Sequence, residues 1–294
     1  TARIRYQEFC ESTFPRKLGL DGLKVVFDGA NGAGYKVGPR TLGNLGADVI
    51  PIGCSPNGRN INQGCGSTNP ELLSLTVPAV KADVGVALDG DGDRLVMVDE
   101  DGVLVDGDQL LYILATARQD AGELEGPVVG TVMSNLGLEH ALRDKSIDFR
   151  RARVGDRYVL ETLRETGGVI GGETSGHMLV LDRTTTGDGL VSALQILAVM
   201  KQTGKPLSEL ASGMPRYPQT MVNVRTDKKL DPNASPAIQE AVGAVEEELR
   251  ETGRVVLRAS GTEPVIRVMV EGEDEAQVAA LAQRLADVVA KAAA

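Results

Sequence analysis

The chain has 294 residues, with 31 Lys and Arg against 41 Asp and Glu, which gives a formal net charge of −10. The length suits two or three domains, and 42% hydrophobic with 24% charged residues is a globular mixture that excludes disordered and fibrous classes. The acidic balance argues against a general affinity for nucleic acid or for an anionic membrane, because both need clustered Lys and Arg.

The apolar stretches and the cysteines also restrict the expected cellular location of the protein. The longest apolar stretch, residues 190–200, is far shorter than the roughly 20 residues that span a bilayer. Residues 1–11 are mixed polar and charged, unlike a secretory signal. Cys10, Cys54 and Cys65 are odd in number and lack CxxC spacing, so neither a zinc cage nor a disulfide framework is expected. We therefore expect a cytoplasmic protein that binds neither membrane nor nucleic acid.

Two sets of βαβ units are predicted in the first two thirds of the chain, because apolar β-branched runs end in glycine loops and are followed by helical periodicity. The first set comprises strands 23–27, 47–52, 84–88 and 95–98, with helix 107–121 closing it or opening the next. The second set comprises strands 127–133, 168–171 and 178–181, with helices at 156–167 and 188–202. A Pro- and Ser-containing linker is predicted at 206–218.

The remaining residues predict a smaller α+β domain. Strands are expected at 219–225, 254–258 and 265–271, with one helix from Ser235 to Gly253 and another from about residue 274. The fold class is therefore α/β, with two mixed-sheet α/β domains plus a C-terminal α+β domain. The predicted domains are residues 1–106, 107–216 and 217–294.

The Asp-Gly-Asp-Gly-Asp-Arg loop at 89–94 predicts a metal site. Asp89, Asp91 and Asp93 alternate with glycines that let the backbone curl, so the three carboxylates can converge on a divalent cation such as Mg²⁺. An EF-hand is an alternative, since Glu100 falls at its twelfth position. It fails because Arg94 occupies the position that needs glycine and because strands, not helices, flank the loop. A solvated acidic turn is the other alternative.

The loop Arg258-Ala-Ser-Gly-Thr-Glu-Pro264 predicts a phosphate clamp. Backbone N–H groups and two hydroxyls surround a concavity there, and Arg258 and Arg267 add guanidinium donors for a dianion. Strand alternation places Arg267 away from the face that Ile266 marks as buried. A plain β-turn with surface arginines remains the alternative.

The loop at 171–177 predicts sugar binding. Glu173, Ser175 and His177 offer a carboxylate, a hydroxyl and an imidazole, a set that can bind vicinal hydroxyls. His177 is a candidate acid or base, although a single histidine is more often structural. The glycines at 28–34 do not give GxGxxG, so tight strand-to-helix packing is favoured over a dinucleotide site. The loop at 153–157 is either a polar loop that only faces solvent or a loop that contacts the substrate, and both interpretations stay open.

Taken in this order and at these separations, the loops resemble the α-D-phosphohexomutase superfamily over essentially the whole chain. The chain is most similar to the bacterial members that act on amino-sugar phosphates, through residues 56–62 and 65–67, the Glu-Thr-Ser form of the sugar loop, and Arg157 in Val-Gly-Asp-Arg-Tyr158. Members have four domains. The resemblance implies that 1–106, 107–216 and 217–294 are the second (metal-binding), third (sugar-binding) and fourth (phosphate-binding) domains.

The resemblance also assigns residue roles. It implies that Asp89, Asp91 and Asp93 hold Mg²⁺; that Arg94 and Arg157 neutralise the reacting phosphate; that Glu173 and Ser175 bind the sugar, with His177 nearby; and that Arg258, Ser260, Gly261, Thr262 and Arg267 bind the non-reacting phosphate.

The implied reaction interconverts glucosamine 6-phosphate and glucosamine 1-phosphate through a phosphoserine and a bisphosphate. The superfamily's Thr-Ala-Ser-His-Asn-Pro serine motif does not occur in these 294 residues, so we expect the N-terminal domain to be missing and the chain to be inactive alone. Phosphomannomutase or phosphoglucomutase activity, or sugar-phosphate binding without turnover, is the alternative. The expected partners are a hexosamine phosphate and the missing domain, a homodimer stays open, and all three loops should line one cleft.

Overall fold

The computed structural model describes residues 2–226, 231–260 and 263–293. The chain forms two compact units. The first unit comprises Thr1–Ser134 and Ala141–Met214, and the second comprises Asn135–His140 and Pro215–Ala294.

A five-stranded mixed sheet forms the first part of the first unit. Its strands are β1 (Lys24–Asp28), β2 (Asp48–Ile52), β3 (Val84–Leu88), β4 (Leu95–Val98) and β5 (Leu104–Val105), in the order β2-β1-β3-β4-β5. The accompanying helices are α1 (Ala2–Thr13), α2 (Val37–Asn44) and α3 (Glu71–Ala79). Strands β1 and β3 are neighbouring and parallel, so the loops that follow Asp28 and Leu88 leave the sheet at the same edge.

A second mixed sheet completes this unit. Its strands are β6 (Val128–Thr131), β7 (Phe149–Ala152), β8 (Ile170–Gly172) and β9 (Met178–Val180), in the order β7-β6-β8-β9. The helices of this part of the chain are α4 (Gly107–Ala121), α5 (Leu136–Asp144), α6 (Asp156–Thr166), α7 (Gly189–Thr203) and α8 (Leu207–Ala211). Helix α7 is buried from Gly189 to Met200, which explains its nearly continuous apolar sequence.

The second unit contains an antiparallel sheet covered on one face by helices. The strands are β10 (Gln219–Arg225), β11 (Gly253–Ala259) and β12 (Val265–Gly272), in the order β10-β12-β11, and the helices are α9 (Pro236–Leu249) and α10 (Glu275–Ala293). Ile266 and Val268 of the central strand pack with Ile238 and Leu285 in its core. The mixed sheets and this smaller α+β part confirm the predicted fold class.

Several local predictions were wrong or incomplete. Helices α1 and α3 and strands β5 and β7 were not predicted, and the predicted linker contains the short helix α8. Helix α6 is capped by Gly155 rather than by Asp156, which is its first helical residue, while Gly167 ends it in the left-handed conformation as expected. Over residues 2–226, 231–260 and 263–293, no helix combines the length and the apolar character needed to cross a membrane.

Candidate functional site

The loop between β3 and β4 brings three carboxylates together. Leu88 and Leu95 pair at its base, and Gly92 adopts a φ of +83° at its tip. One oxygen from each of Asp89, Asp91 and Asp93 lies within 4.8 Å of the others. These are hard oxygen ligands at a spacing that one small divalent cation can bridge.

The carboxylate of Asp89 is held by the loop itself. Its Oδ1 accepts hydrogen bonds from the backbone N–H groups of Gly92 and Arg94, each at 3.1 Å. Burial raises the pKa of the Asp89 carboxyl to about 6, and the neighbouring carboxylates of Asp91 and Asp93 add to the rise. A bound cation would offset this repulsion and favour the ionised form.

The loop that follows β1 packs against residues 89–94, the loop between β3 and β4 that we call the metal loop. The Gly90 carbonyl accepts a hydrogen bond from Ala33 N–H at 2.8 Å. A methyl group placed on Gly32 would lie 2.1 Å from that same carbonyl oxygen. The glycine at position 32 therefore allows two backbones to meet, which explains this loop better than nucleotide binding does.

A buried aspartate fixes the same supporting loop. Asp28 accepts backbone hydrogen bonds from Ala30 N–H at 2.9 Å and from Gly66 N–H at 2.7 Å. Ala30 and Asn31 have positive φ angles, a backbone conformation that residues other than glycine rarely adopt. Burial raises the pKa of the Asp28 carboxyl. These contacts order the backbone beneath the carboxylate cluster.

The predicted sugar loop lies against the metal loop. Arg94 and His177 form an antiparallel backbone bridge, and Leu95 N–H donates to the Gly176 carbonyl at 3.0 Å. The Glu173 carboxylate accepts a hydrogen bond from Gly155 N–H at 3.0 Å, which attaches the 153–157 loop as well. Two of the three predicted loops, together with the segment carrying Arg157, therefore meet in the first unit.

The imidazole of His177 is enclosed within this cluster. Its side chain is 8% exposed, and its Nε2 lies 3.5 Å from Asp93 Oδ2 and 4.0 Å from Asp156 Oδ2. A methyl group on Gly187 would lie 2.3 Å from the same nitrogen. His177 is thus placed to orient a candidate metal ligand; whether it also transfers a proton stays a prediction.

A Gly-Asp-Gly segment at 187–189 joins these elements and was not predicted as part of the site. Gly189 N–H donates to the Gly92 carbonyl of the metal loop at 2.9 Å. Asp188 caps helix α7 by accepting from Val191 N–H at 2.9 Å, and its other oxygen accepts from the Tyr6 hydroxyl at 2.8 Å. The only sequence signal was an aspartate before an apolar helix, which indicates a cap and not a contact with the site.

The remaining predicted residues of the first unit differ in their surroundings. Ser175 and Arg94 are exposed, and the Arg94 guanidinium has no partner among the residues that the structure describes. Arg157 is also exposed, at 78% of its side chain, but its Nε donates to Glu161 Oε1 at 2.8 Å. Arg157 must exchange that carboxylate for a phosphate if it acts as predicted.

The third predicted loop belongs to the second unit. Arg258 and Arg267 are directly paired across β11 and β12, and Arg267 lies off the buried face that Ile266 marks. Burial lowers the pKa of the Arg258 guanidinium, and the positive charge of Arg267 contributes to the lowering. Ser260 N–H donates to the Val265 carbonyl at 2.8 Å. Gly261 and Thr262 lie outside the described residues, and a cleft shared by all three loops stays a prediction.

Comparison with family models accounts for most of the chain. Residues 5–102 match the model for phosphoglucomutase/phosphomannomutase, alpha/beta/alpha domain II. Residues 106–217 match alpha/beta/alpha domain III, and residues 221–288 match the C-terminal domain of the same proteins.

Curated relatives agree with these matches. The phosphoglucosamine mutase of Aeromonas hydrophila is 57% identical over 288 residues, which are 98% of this chain and 65% of that protein. The phosphoglucosamine mutase of Photorhabdus laumondii is 56% identical over 285 residues, which are 97% of this chain and 64% of that protein. The chain thus spans just under two thirds of the length of these relatives.

Solved structures show the same fold at low sequence identity. A phosphoglucomutase/phosphomannomutase family protein of Burkholderia thailandensis is 23% identical with a TM-score of 0.78, and the match covers 98% of this chain and 64% of that one. Aspergillus fumigatus N-acetylphosphoglucosamine mutase, solved with GlcNAc-6P and magnesium, is 22% identical with a TM-score of 0.76, and the match covers 97% and 69%.

Proposed function

This chain belongs to the phosphoglucomutase/phosphomannomutase family, and we propose that it supplies the metal-binding, sugar-binding and phosphate-binding parts of a phosphoglucosamine mutase. Such an enzyme interconverts glucosamine 6-phosphate and glucosamine 1-phosphate through a phosphoserine and a bisphosphate. The contact between the carboxylate loop and the Glu173–His177 loop carries the proposal. The names of the relatives that are 56% and 57% identical support the choice of an amino sugar.

The donor set of the first loop fits Mg²⁺. Three carboxylates with mutually close oxygens, one of them buried, form a hard-oxygen site whose repulsion a divalent cation relieves. When bound by Asp89, Asp91 and Asp93, Mg²⁺ supplies positive charge near the transferring phosphoryl oxygens.

The protein's own residues then bind and orient the substrate. Arg94, the exposed last residue of the metal loop, donates to the reacting phosphate, where charge spreads over the transferring oxygens. Glu173 and Ser175 bind sugar hydroxyls, and His177 holds Asp93 in position. In the second unit, Arg258, Ser260 and Arg267 bind the phosphate that does not react.

We further propose that the 294-residue chain alone does not catalyse the mutase reaction, because no Thr-Ala-Ser-His-Asn-Pro serine motif occurs in it. The remaining alternatives are a phosphomannomutase or phosphoglucomutase, and a sugar-phosphate-binding fragment. Mutase activity that scales with the concentration of the 294-residue chain would contradict the proposal that this chain alone is inactive.

Binding to the 294-residue chain tests the sites directly. Isothermal titration with Mn²⁺ should give an affinity that Asp91→Asn lowers about tenfold or more, since one charged ligand is lost. The matched control Asp101→Asn, in the next exposed turn, should not change the affinity. If both substitutions change the Mn²⁺ affinity equally, Asp91 is not a specific metal ligand and the proposed metal site is wrong.

Sugar preference is tested with glucosamine 6-phosphate, glucose 6-phosphate and mannose 6-phosphate. We expect tightest binding of glucosamine 6-phosphate, weakened by Glu173→Gln but not by Glu165→Gln, an exposed position on α6. Kinetics of the complete protein with the same three sugars gives the corresponding order of kcat/KM. A preference for mannose phosphate would favour the alternative activity.

A further inference from the structure

On the face of the second unit's sheet that carries Arg267, polar residues near the 258–264 loop form rows across the strands. Asn223 of β10 pairs with Arg267 of β12, and Arg267 pairs with Arg258 of β11. Directly paired residues point to the same face with Cβ atoms about 4.5–5.5 Å apart. Asn223, Arg267 and Arg258 therefore form one row, with Arg267 in the middle.

The next row extends this polar surface on the β10 side. Arg225 pairs with Val265, two residues before Arg267 on the same strand. Arg225 and Arg267 are thus diagonal neighbours, about 7–8 Å apart at the backbone and within mutual reach of long side chains. Residues 223 and 225 are exposed, whereas Val224 between them is buried, as strand alternation requires.

A cavity of about 370 Å³ opens on this side of Arg267. Asn223, Arg225, Arg267 and Glu263 line it. Arg258 of the predicted clamp lies on the other side, where it pairs with Arg267. Arg267 therefore lies between this cavity, which was not predicted, and Arg258 of the predicted clamp.

The charge of the cavity favours an anion. Two guanidinium groups line the cavity with a single carboxylate, that of Glu263. Among the residues that the structure describes, the guanidinium of neither Arg225 nor Arg267 has a hydrogen-bonding or ion-pairing partner. A guanidinium pair with an adjacent amide suits the several oxygens of a phosphate group. Burial lowers the pKa of the Arg258 guanidinium, and the positive charge of Arg267 adds to the lowering, so a bound anion would relieve repulsion within this row.

We propose that Asn223, Arg225 and Arg267 form a second phosphate-binding site on the β10 side of the sheet, adjoining the site predicted for Arg258 and Ser260. The ligand is a phosphate dianion, either free or carried by a sugar. The proposal rests on the proposed function in taking the anion to be a phosphate and in using the second site while a bisphosphate turns around. Because Arg267 is common to both sites, a phosphate can move from one pair of arginines to the other while keeping one guanidinium contact, which suits a bisphosphate that must turn around.

The test titrates inorganic phosphate and, separately, glucosamine 6-phosphate into the 294-residue chain in metal-free buffer, so that the carboxylate loop cannot contribute. Arg258→Gln should leave measurable phosphate binding, and adding Arg225→Gln to it should weaken that binding about tenfold or more, since a charge-assisted hydrogen bond is lost. Arg284→Gln, which removes an exposed arginine of α10, is the matched control. Circular dichroism checks that each variant is folded.

The outcomes separate this site from the proposed function. If Arg225→Gln matches the Arg284→Gln control with both ligands while Arg258→Gln abolishes binding, the second site is refuted and the proposed clamp stands. If inorganic phosphate binding depends on Arg225 but glucosamine 6-phosphate does not bind, the second site stands and the amino-sugar function fails. If the Arg225→Gln variant loses binding of both inorganic phosphate and glucosamine 6-phosphate, the second site is supported and a sugar phosphate can supply its phosphate group.

Discussion

Gly32→Ala should uncouple the metal loop from its support. The added methyl carbon would lie 2.1 Å from the Gly90 carbonyl oxygen and 2.6 Å from the Gly90 Cα. Non-bonded carbon atoms need about 3.5–4.0 Å, so the two backbones must separate by roughly 1 Å. This movement also breaks the hydrogen bond from Ala33 N–H to the same carbonyl, now 2.8 Å long.

The displacement has two measurable effects. Overpacking of this kind destabilises a fold by about 1–3 kcal/mol. Asp89 and Asp91 flank Gly90, and metal–ligand distances tolerate only about ±0.2 Å. We therefore expect the free energy of unfolding in urea to fall by that amount. In the fraction that remains folded, we expect the affinity for Mn²⁺ to fall about tenfold or more.

Gly43→Ala provides the matched control. Outside its own helix, no atom of the described residues lies within 4 Å of the methyl position at Gly43 in α2. Alanine should therefore stabilise the helix by about 1 kcal/mol and leave Mn²⁺ binding unchanged. If Gly32→Ala keeps both wild-type stability and wild-type Mn²⁺ affinity, the inferred support of the metal loop is refuted.

Three other substitutions test the surrounding contacts. Asp28→Asn should destabilise the fold by about 1–3 kcal/mol, since the amide N–H₂ would face a backbone N–H donor. Burial raises the pKa of the Asp28 carboxyl in the folded state, so the folded chain binds more protons than the unfolded one above about pH 4. Wild-type stability relative to the variant should therefore decrease as pH rises through that raised pKa, which urea unfolding from pH 4 to 8 would show; a constant difference would contradict this. Gly187→Ala should displace the His177 ring, detected as a shifted imidazole NMR resonance, and an unmoved resonance would contradict the contact. Tyr6→Phe should lower stability by about 1.5 kcal/mol through its lost bond to Asp188, whereas unchanged urea unfolding would show that bond to be unimportant.

The sequence was most informative where chemistry and conformation are local. Alternation of aspartate and glycine over 89–94 predicts a turn with converging carboxylates, and the turn has that form. Strand alternation likewise predicted that Arg267 lies off the buried face. Residues a few positions apart on one strand or turn have few relative placements, so spacing alone is sufficient.

Contacts between segments that are distant in the sequence could not be predicted. Gly32 meets Gly90 only because β1 and β3 are neighbours, and Tyr6 reaches Asp188 across 182 residues of sequence. The second arginine cavity similarly depends on the register that pairs Asn223 with Arg267. Gly32, Tyr6 and Asn223 belong to none of the loops that were predicted to bind a ligand, because each acts through its position in the assembled fold.

The Gly-Asp-Gly segment at 187–189 affects how genetic variation in this protein would be interpreted. Each of its three residues touches a different structure: the His177 ring, the start of helix α7, and the metal loop. A saturation screen scored by growth would find all three positions as intolerant as the metal ligands. Such a profile would suggest chemistry at positions whose contacts among the described residues are structural, and ligand affinity measured separately from protein abundance would tell the two apart.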